Sequence, residues 1–160
     1  HDVVNAWDEE NLADIIYHYG EERAARKIAQ AIVQSRQQES IETSAQLANI
    51  VDGAVGRFYR RSRIHPATKT FQAIRIAVND ELGSLETLLK DGFLSLATGG
   101  RMVIISFHSL EDRLVKNTFR DLKNQKLARL INKKPITPTP EEVIINPRSR
   151  SAKLRILEKI

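Results

Sequence analysis

The chain has 160 residues, is 41% hydrophobic and carries a formal net charge of +5, enough to bury one sizeable core and a small satellite. It contains no cysteine, which excludes disulfides and thiolate metal sites and suits a reducing compartment. No stretch resembles a signal peptide or approaches the roughly 20 apolar residues of a spanning helix, so a soluble, cytoplasmic protein is expected.

The charge is unevenly spread. Up to Gly56 there are 4 Lys/Arg against 10 Asp/Glu, a balance of −6; beyond it there are 21 against 10, a balance of +11. A basic stretch of that size is the footprint expected for a polyanionic partner, with a well-solvated surface as the plainer alternative.

The first third is predicted to be helical. Asp8 is placed to cap a helix with Leu12, Ile15, Ile16 and Tyr19 at helical spacing and Gly20 as its stop. A second helix is expected over 21–36, with Glu21 and Glu22 suiting the positive end of its dipole and its alanines offering a narrow packing face. Thr43-Ser44-Ala45-Gln46 has capping-box form and starts a third helix through Leu47, Ile50, Val51 and Ala54. Trp7 and Tyr17 are expected in the core or at a hinge rather than as stacking platforms.

At Gly56 the charge changes sign. Arg57, Arg60, Arg61 and Arg63 surround Phe58 and Tyr59, a mixture suited to phosphate contact and base stacking, or to a solvated linker. His65-Pro66 then opens a long helix whose buried stripe is Phe71, Ile74, Ala77, Val78 and Leu82. His65 fits an end-capping role as well as a ligand role. Gly83 is expected to break this helix, and Leu85, Leu88, Leu89, Phe93, Leu94 and Leu96 supply the next, up to Gly99.

Met102 to Ile105 is a short apolar run that reads as a strand buried on both faces, as in a parallel sheet. Ser106, His108, Ser109, Glu111, Asp112 and Arg113 follow at once, where ligands bind in open α/β sheets, beyond the carboxyl ends of the strands. Ser109 is expected to cap the next helix and Asp112 to pair with Lys116 one turn on. Acids in a first turn also serve the helix dipole, so Glu111 and Asp112 have a purely structural explanation too. Residues 123–134 read as a basic surface connection and Lys133 to Pro138 as a short edge strand. Thr139-Pro140-Glu141-Glu142 caps a short helix that Asn146-Pro147 ends, Arg148 to Ser151 is a basic loop, and Ala152 to Ile160 is a strand closing the sheet edge. Helix, glycine turn, buried strand and helix together fit the second half of a wound α/β sheet.

Several chemistries are absent from the sequence. There is no GxxxxGK[ST], GxGxxG or HExxH, no close His/Asp/Glu metal constellation, and no pair of glycines flanking Ser109 as in a nucleophile elbow. Zinc-dependent base deamination needs cysteine ligands.

Three blocks carry a resemblance. His65-Pro66-Ala67-Thr68-Lys69-Thr70-Phe71-Gln72, Ser106-Phe107-His108-Ser109-Leu110-Glu111-Asp112-Arg113 and Asn146-Pro147-Arg148-Ser149-Arg150-Ser151-Ala152-Lys153-Leu154-Arg155 resemble signatures of the bacterial 16S rRNA cytosine-N4 methyltransferase family, RsmH, formerly MraW. Tyr19-Gly20-Glu21-Glu22-Arg23 with Lys27 to Ile32 resembles its helical insert, so the resemblance covers essentially the whole chain. Lys69 stands where arginine is usual, keeping the charge but not the bidentate geometry.

The resemblance implies an α/β fold: part of a Rossmann-like class I methyltransferase sheet plus a small helical subdomain. Residues 1–64 would be the helical insert that takes part in RNA recognition, and residues 65–160 the C-terminal half of the methyltransferase domain. The implied cofactor is S-adenosylmethionine, bound mainly by residues absent from this chain, because the family's glycine loop and acidic strand ends lie upstream of the position matching His1. The chain alone is therefore expected to be inactive. The implied substrate is a cytidine of the decoding centre of 16S rRNA, methylated on its exocyclic amino group, which makes the small ribosomal subunit the partner, with no metal and no membrane. Ser106, His108 and Ser109 are the expected pocket rim; Glu111, Asp112 and Arg113 would support it or position phosphates. Arg57, Arg60, Arg61, His65, Lys69, Arg148, Arg150 and Lys153 are the remaining expected RNA contacts. Two alternatives stand beside this: a non-catalytic basic RNA-binding module or ribosome-associated factor using the same arginine clusters, and an interaction domain meeting an acidic protein, which leaves the polar cluster after Ile105 unexplained.

Overall fold

The structure, a computed structural model, describes residues 1–56 and 65–160. The chain divides into two compact units, His1–Glu81 and Leu82–Ile160. No helix among the described residues is long and apolar enough to cross a membrane.

The first unit is built from α1 (Asp2–Ala6), α2 (Glu9–His18), α3 (Ala25–Arg36), α4 (Ser44–Val55) and α5 (Thr68–Asn79). Asp8 caps α2 by accepting the Asn11 N–H at 2.7 Å, and Thr43 with Gln46 completes the capping box of α4. Leu12 and Ile16 of α2, Ile28 and Ile32 of α3, Val51 of α4 and Ala73 of α5 are buried in one core. Each large aliphatic side chain contributes about 1.5–3 kcal/mol on leaving water.

Three features of this unit differ from expectation. α3 starts at Ala25 rather than Glu21, because Glu21 adopts left-handed backbone (φ 48°) and the Glu22 carboxylate folds back to accept the Ala24 N–H at 2.8 Å. α5 ends at Asn79 rather than Gly83: Asp80 is left-handed (φ 46°), and Glu81 turns to accept Arg75 at 2.7 and 3.0 Å. Trp7 and Tyr17, expected in the core or at a hinge, are outside the core, 37% and 56% exposed.

Two of the sequence blocks meet in this unit. The Tyr19 carbonyl accepts Gln72 Nε2 at 3.0 Å, the Glu21 carbonyl accepts Lys69 Nζ at 3.0 Å, and Lys69 lies 3.6 Å from the buried Glu22 carboxylate. Gly20 permits the approach: a Cβ there would stand 2.5 Å from the Ile16 oxygen and 2.8 Å from the Lys69 oxygen.

The second unit contains α6 (Glu81–Ser95, its first residue in the first unit), β1 (Arg101–Ser106), α7 (Ser109–Asn124), β2 (Ala128–Leu130), α8 (Pro140–Ile145), a 3-10 turn (Pro147–Ser151) and β3 (Lys153–Lys159). The mixed α/β class is the one expected; its sheet has three antiparallel strands in the order β1-β3-β2. Ser106 faces Lys153, Arg101 faces Glu158 and Ala128 faces Lys159. β3, expected at the edge, is therefore central, because β2 forms within the stretch expected to be a basic connection.

β1 is likewise buried on one face rather than two. Met102 and Ser106 are buried, whereas Val103 and Ile105 are 52% and 54% exposed. Met102 joins Leu157 and Ala128 of the sheet, Leu89 and Phe93 of α6, and Val115 and Phe119 of α7 in the core. The other face, carrying Val103, Ile105, Leu154 and Ile156, is apolar and partly open, with Glu158 accepting Arg101 and Arg129 at 2.9 Å each. The outer edge of β1 has no strand partner among the described residues. Lys159 of β3 closes the carboxyl end of α6, donating to the carbonyls of Phe93, Leu94 and Leu96 at 3.2, 3.2 and 2.7 Å.

Candidate functional site

β1 hands the chain directly to the amino end of α7. His108 rather than Ser109 caps this helix: its Nδ1 accepts the Glu111 N–H at 3.3 Å. The Glu111 carboxylate returns to accept the N–H groups of Phe107 (2.8 Å) and His108 (3.3 Å), completing a capping box with a ring nitrogen where a hydroxyl or carboxylate is usual. With Nδ1 accepting from a backbone N–H, the neutral imidazole carries its proton on Nε2. That atom is buried without a hydrogen-bond partner, with Glu111 Oε1 3.4 Å away. Ser109 and Phe107 are exposed, Phe107 by 53%.

Asp112 faces inward from the same turn. In place of Lys116 it takes Arg155 of β3, at 2.7 and 3.2 Å, and Lys153, at 3.2 Å. Asp112 and Arg155 are both buried. Burial pushes the Asp112 carboxyl up, but the hydrogen bonds and charges of Arg155 and Lys153 outweigh it and hold the carboxyl below its ordinary value. The sheet register sets Ser106 opposite Lys153, whose carbonyl accepts the Ser106 hydroxyl in a long 3.4 Å contact.

The basic block before β3 is fixed by its own turn. Ser149 is buried and its hydroxyl donates to the Asn146 carbonyl at 2.8 Å. Arg148 and Arg150, on either side, are exposed and have no ion-pair partner among the described residues. The structure thus brings together Ser106, His108, Ser109, Glu111 and Asp112 with Lys153, and places Arg113 exposed on the following turn of α7.

His65 and Lys69 belong to the first unit. His65 Nδ1 accepts the Ala67 N–H at 3.2 Å ahead of α5, and Lys69 is engaged with Glu21 and Glu22. Arg57, Arg60 and Arg61, with Phe58, Tyr59 and Arg63, lie outside the described residues. Two residues of the rim were missed by sequence reasoning. Phe107 stands in the Ser106–Arg113 block with no role of its own, although its position beyond the last paired residue of β1 leaves it unpaired with the sheet. Arg155 was counted among the charges of the last strand, although it alternates with Leu154 and Ile156 onto the face that packs on α7.

The described residues do not fit a complete S-adenosylmethionine site. The only paired glycines, Gly99 and Gly100, precede β1, at the opposite end from the rim. Gly99 has φ +80° and its N–H donates to the Lys159 carbonyl at 2.9 Å, and a Cβ on Gly100 would lie 2.8 Å from the Ala97 oxygen. This pair closes a turn.

Residues 1–160 match the model of the MraW methylase family. The chain is 53% identical over 158 residues to "Ribosomal RNA small subunit methyltransferase H" of Trichodesmium erythraeum (strain IMS101), covering 99% of this chain and 54% of that protein. It is 54% identical over 158 residues to the protein of the same name from Nostoc sp. (strain PCC 7120 / SAG 25.82 / UTEX 2576), covering 99% and 50%. For that of Persephonella marina (strain DSM 14350 / EX-H1) the identity is 52% over 159 residues, covering 99% and 54%. The chain spans about half the length of the curated relatives it matches. With a family match along its whole length, the chain belongs to the MraW methylase family.

Proposed function

We propose that the protein to which this chain belongs methylates the exocyclic amino group of a cytidine in small-subunit rRNA, and that this chain supplies the target-base side of the pocket. The observation that carries the proposal is the joining of two signature blocks, 41 and 43 residues apart, through Asp112, Lys153 and Arg155. That joining sets polar groups and two exposed arginines around one strand end.

The amino nitrogen of cytosine is a weak nucleophile because its lone pair is delocalised into the ring. A productive site must align that nitrogen and accept hydrogen bonds from it, so that the lone pair leaves conjugation; as the N–C bond forms, the methyl–sulfur bond of the donor would break to leave a neutral thioether, and one amino proton would pass to a carboxylate or to water. S-adenosylmethionine, when bound, supplies the methyl group as an electrophile. In this chain Ser106, Ser109 and the Glu111 Oε1 atom are the acceptors for the amino group. His108, holding its proton on Nε2, is a donor suited to a ring carbonyl rather than a base. Phe107 offers an exposed ring for stacking the displaced base. Arg148 and Arg150 take the flanking phosphates. The transfer is direct, with no covalent intermediate and no metal, and its rRNA substrate sets the protein's work in the cytoplasm.

The open edge of β1 and the apolar face of Val103 and Ile105 support a sheet that continues beyond these three strands, in keeping with the greater length of the relatives. The isolated 160 residues are then inactive. Titration calorimetry of residues 1–160 with S-adenosylmethionine should show no binding heat; tight binding would overturn the division of the site. In the full-length protein, Glu111→Gln and Phe107→Ala should each lower single-turnover methylation of small subunits, and unchanged rates in both would remove this rim from the pocket.

A further inference from the structure

The two most exposed large hydrophobic side chains among the described residues are neighbours on α8, Ile144 at 79% and Ile145 at 85%. A short helix is ordinarily held by packing an apolar face. α8 buries no residue at all and is held by its ends instead. Thr139 caps its start, the Asn146 N–H closes its last turn on the Glu142 carbonyl at 2.7 Å, and the Asn146 carbonyl accepts the Ser149 hydroxyl at 2.8 Å.

The segment that carries α8 leaves and rejoins the sheet at one point. Ile136 and Leu154 exchange both backbone hydrogen bonds at 2.9 Å each. Leu154 lies opposite Ile105 and Lys153 opposite Ser106. The two isoleucines therefore stand on an excursion rooted at the rim end of β1.

Size and charge select what covers them. Two isoleucines on a helix of 6 residues fall far short of the roughly 1,200–2,000 Å² of a stable protein interface. A gap between two stacked bases suits them, and isoleucine is among the wedges that proteins insert at base steps. The flank is complementary to a polyanion: Arg148 and Arg150 follow at once, exposed and without an ion-pair partner among the described residues. They belong to a unit with 15 Lys/Arg against 8 Asp/Glu. Glu141 and Glu142 precede the pair and repel phosphates, which leaves the arginine side as the track for the backbone.

We infer that Ile144 and Ile145 form a wedge that enters the base stack of the rRNA beside the displaced cytidine and fills the gap it leaves, while Arg148 and Arg150 hold the adjoining phosphates. Drawing a base out of its stack is unfavourable, and apolar side chains that leave water for the gap offset part of that cost. This rests on the proposal that a cytidine of small-subunit rRNA is the substrate, and adds the means by which that base is kept out of its stack.

Photocrosslinking tests the placement. The full-length protein with p-benzoylphenylalanine in place of Ile145 is bound to small ribosomal subunits lacking the modification, irradiated, and the rRNA mapped by primer extension. Crosslinks to nucleotides adjoining the methylated cytidine are expected. Crosslinks to a ribosomal protein alone, to rRNA remote from that cytidine, or to nothing would overturn the wedge. In single-turnover methylation, Ile144→Ser with Ile145→Ser should lower the rate about 10-fold or more. Its salt dependence of small-subunit binding should stay that of the parent, because no phosphate contact is lost. Ile144→Leu with Ile145→Leu, which keeps the apolar bulk, should lose far less rate. Neither position belongs to the core, and circular dichroism checks that the variants fold. A parent-like rate in the serine variant would overturn the wedge while leaving the substrate in place. Absence of rRNA methylation by the parent protein would overturn the substrate reading, and the wedge with it.

Discussion

Arg155 of β3 holds both carboxylate oxygens of Asp112 of α7, at 2.7 and 3.2 Å, with both side chains buried. This pair ties the polar block after β1 to the basic block before β3, so the two halves of the rim share one carboxylate. Removing either partner leaves a buried charge without its counterion, at a cost of about 3–5 kcal/mol. Lys153 remains to soften the loss of Arg155, so Arg155→Ala should fall at or below the lower end of that range. In urea unfolding, the double variant Asp112→Ala, Arg155→Ala should lose less stability than the two single variants together. Additive losses would mean that the pair is not coupled.

Acid should weaken this unit through two carboxylates. Burial opposes, but the hydrogen bonds of Arg155 and Lys153 prevail, in lowering the Asp112 pKa; the hydrogen bond from Arg101 is foremost in lowering that of Glu158, helped by Arg129. A native pKa below the unfolded one contributes stability that is fully present above the ordinary carboxylate values, about 3.9 for Asp and 4.3 for Glu. It is lost as pH falls through the lower native values. Asp112→Asn should therefore be less stable near neutrality and show a shallower fall in stability across the acid range. An equally steep fall would assign the acid sensitivity elsewhere.

His108 has two separable duties, capping α7 and presenting its Nε2–H. Asparagine is among the best capping residues, whereas alanine forfeits about 1 kcal/mol at such a position. His108→Asn should keep the thermal stability of the parent and lose methylation rate in the full-length protein; His108→Ala should lose both. Full activity in His108→Asn would reduce His108 to a helix cap.

Gly20→Ala tests the junction of the Tyr19–Glu22 and His65–Gln72 blocks. The added Cβ meets two backbone oxygens at 2.5 and 2.8 Å, neither of which is a flexible side-chain end. A loss of about 1–3 kcal/mol is expected from this overpacking, measured by thermal or urea unfolding. Parent-like stability would show that α2 and α5 separate at little cost.

Local rules made much of the chain legible. Asp8 and Thr43 cap where their spacing placed them, and Thr139 accepts the Glu142 N–H at 3.2 Å to start α8, with Pro140 at its first position. Partnership over distance was not legible. Lys116 lies one turn from Asp112, yet β3 brings two cations to the buried side of α7, and no local pattern announces them. The run Met102 to Ile105 has the same composition whether one face or two are covered, so its half-open state appears only with the sheet. Capping propensities favour serine over histidine, which is why Ser109 stood in for His108. Tyr17 follows Ile16 directly and so turns away from the face that Leu12 and Ile16 bury, a distinction helical spacing could have drawn.

The most direct test of the central claim is the chemical position of the transferred methyl group. The full-length protein would be incubated with small ribosomal subunits lacking its modification and with methyl-labelled S-adenosylmethionine, and the rRNA digested to nucleosides for chromatography and mass spectrometry. Label in N4-methylcytidine is the predicted result. Label on a ring carbon or a ribose hydroxyl, or no label in rRNA at all, would contradict it.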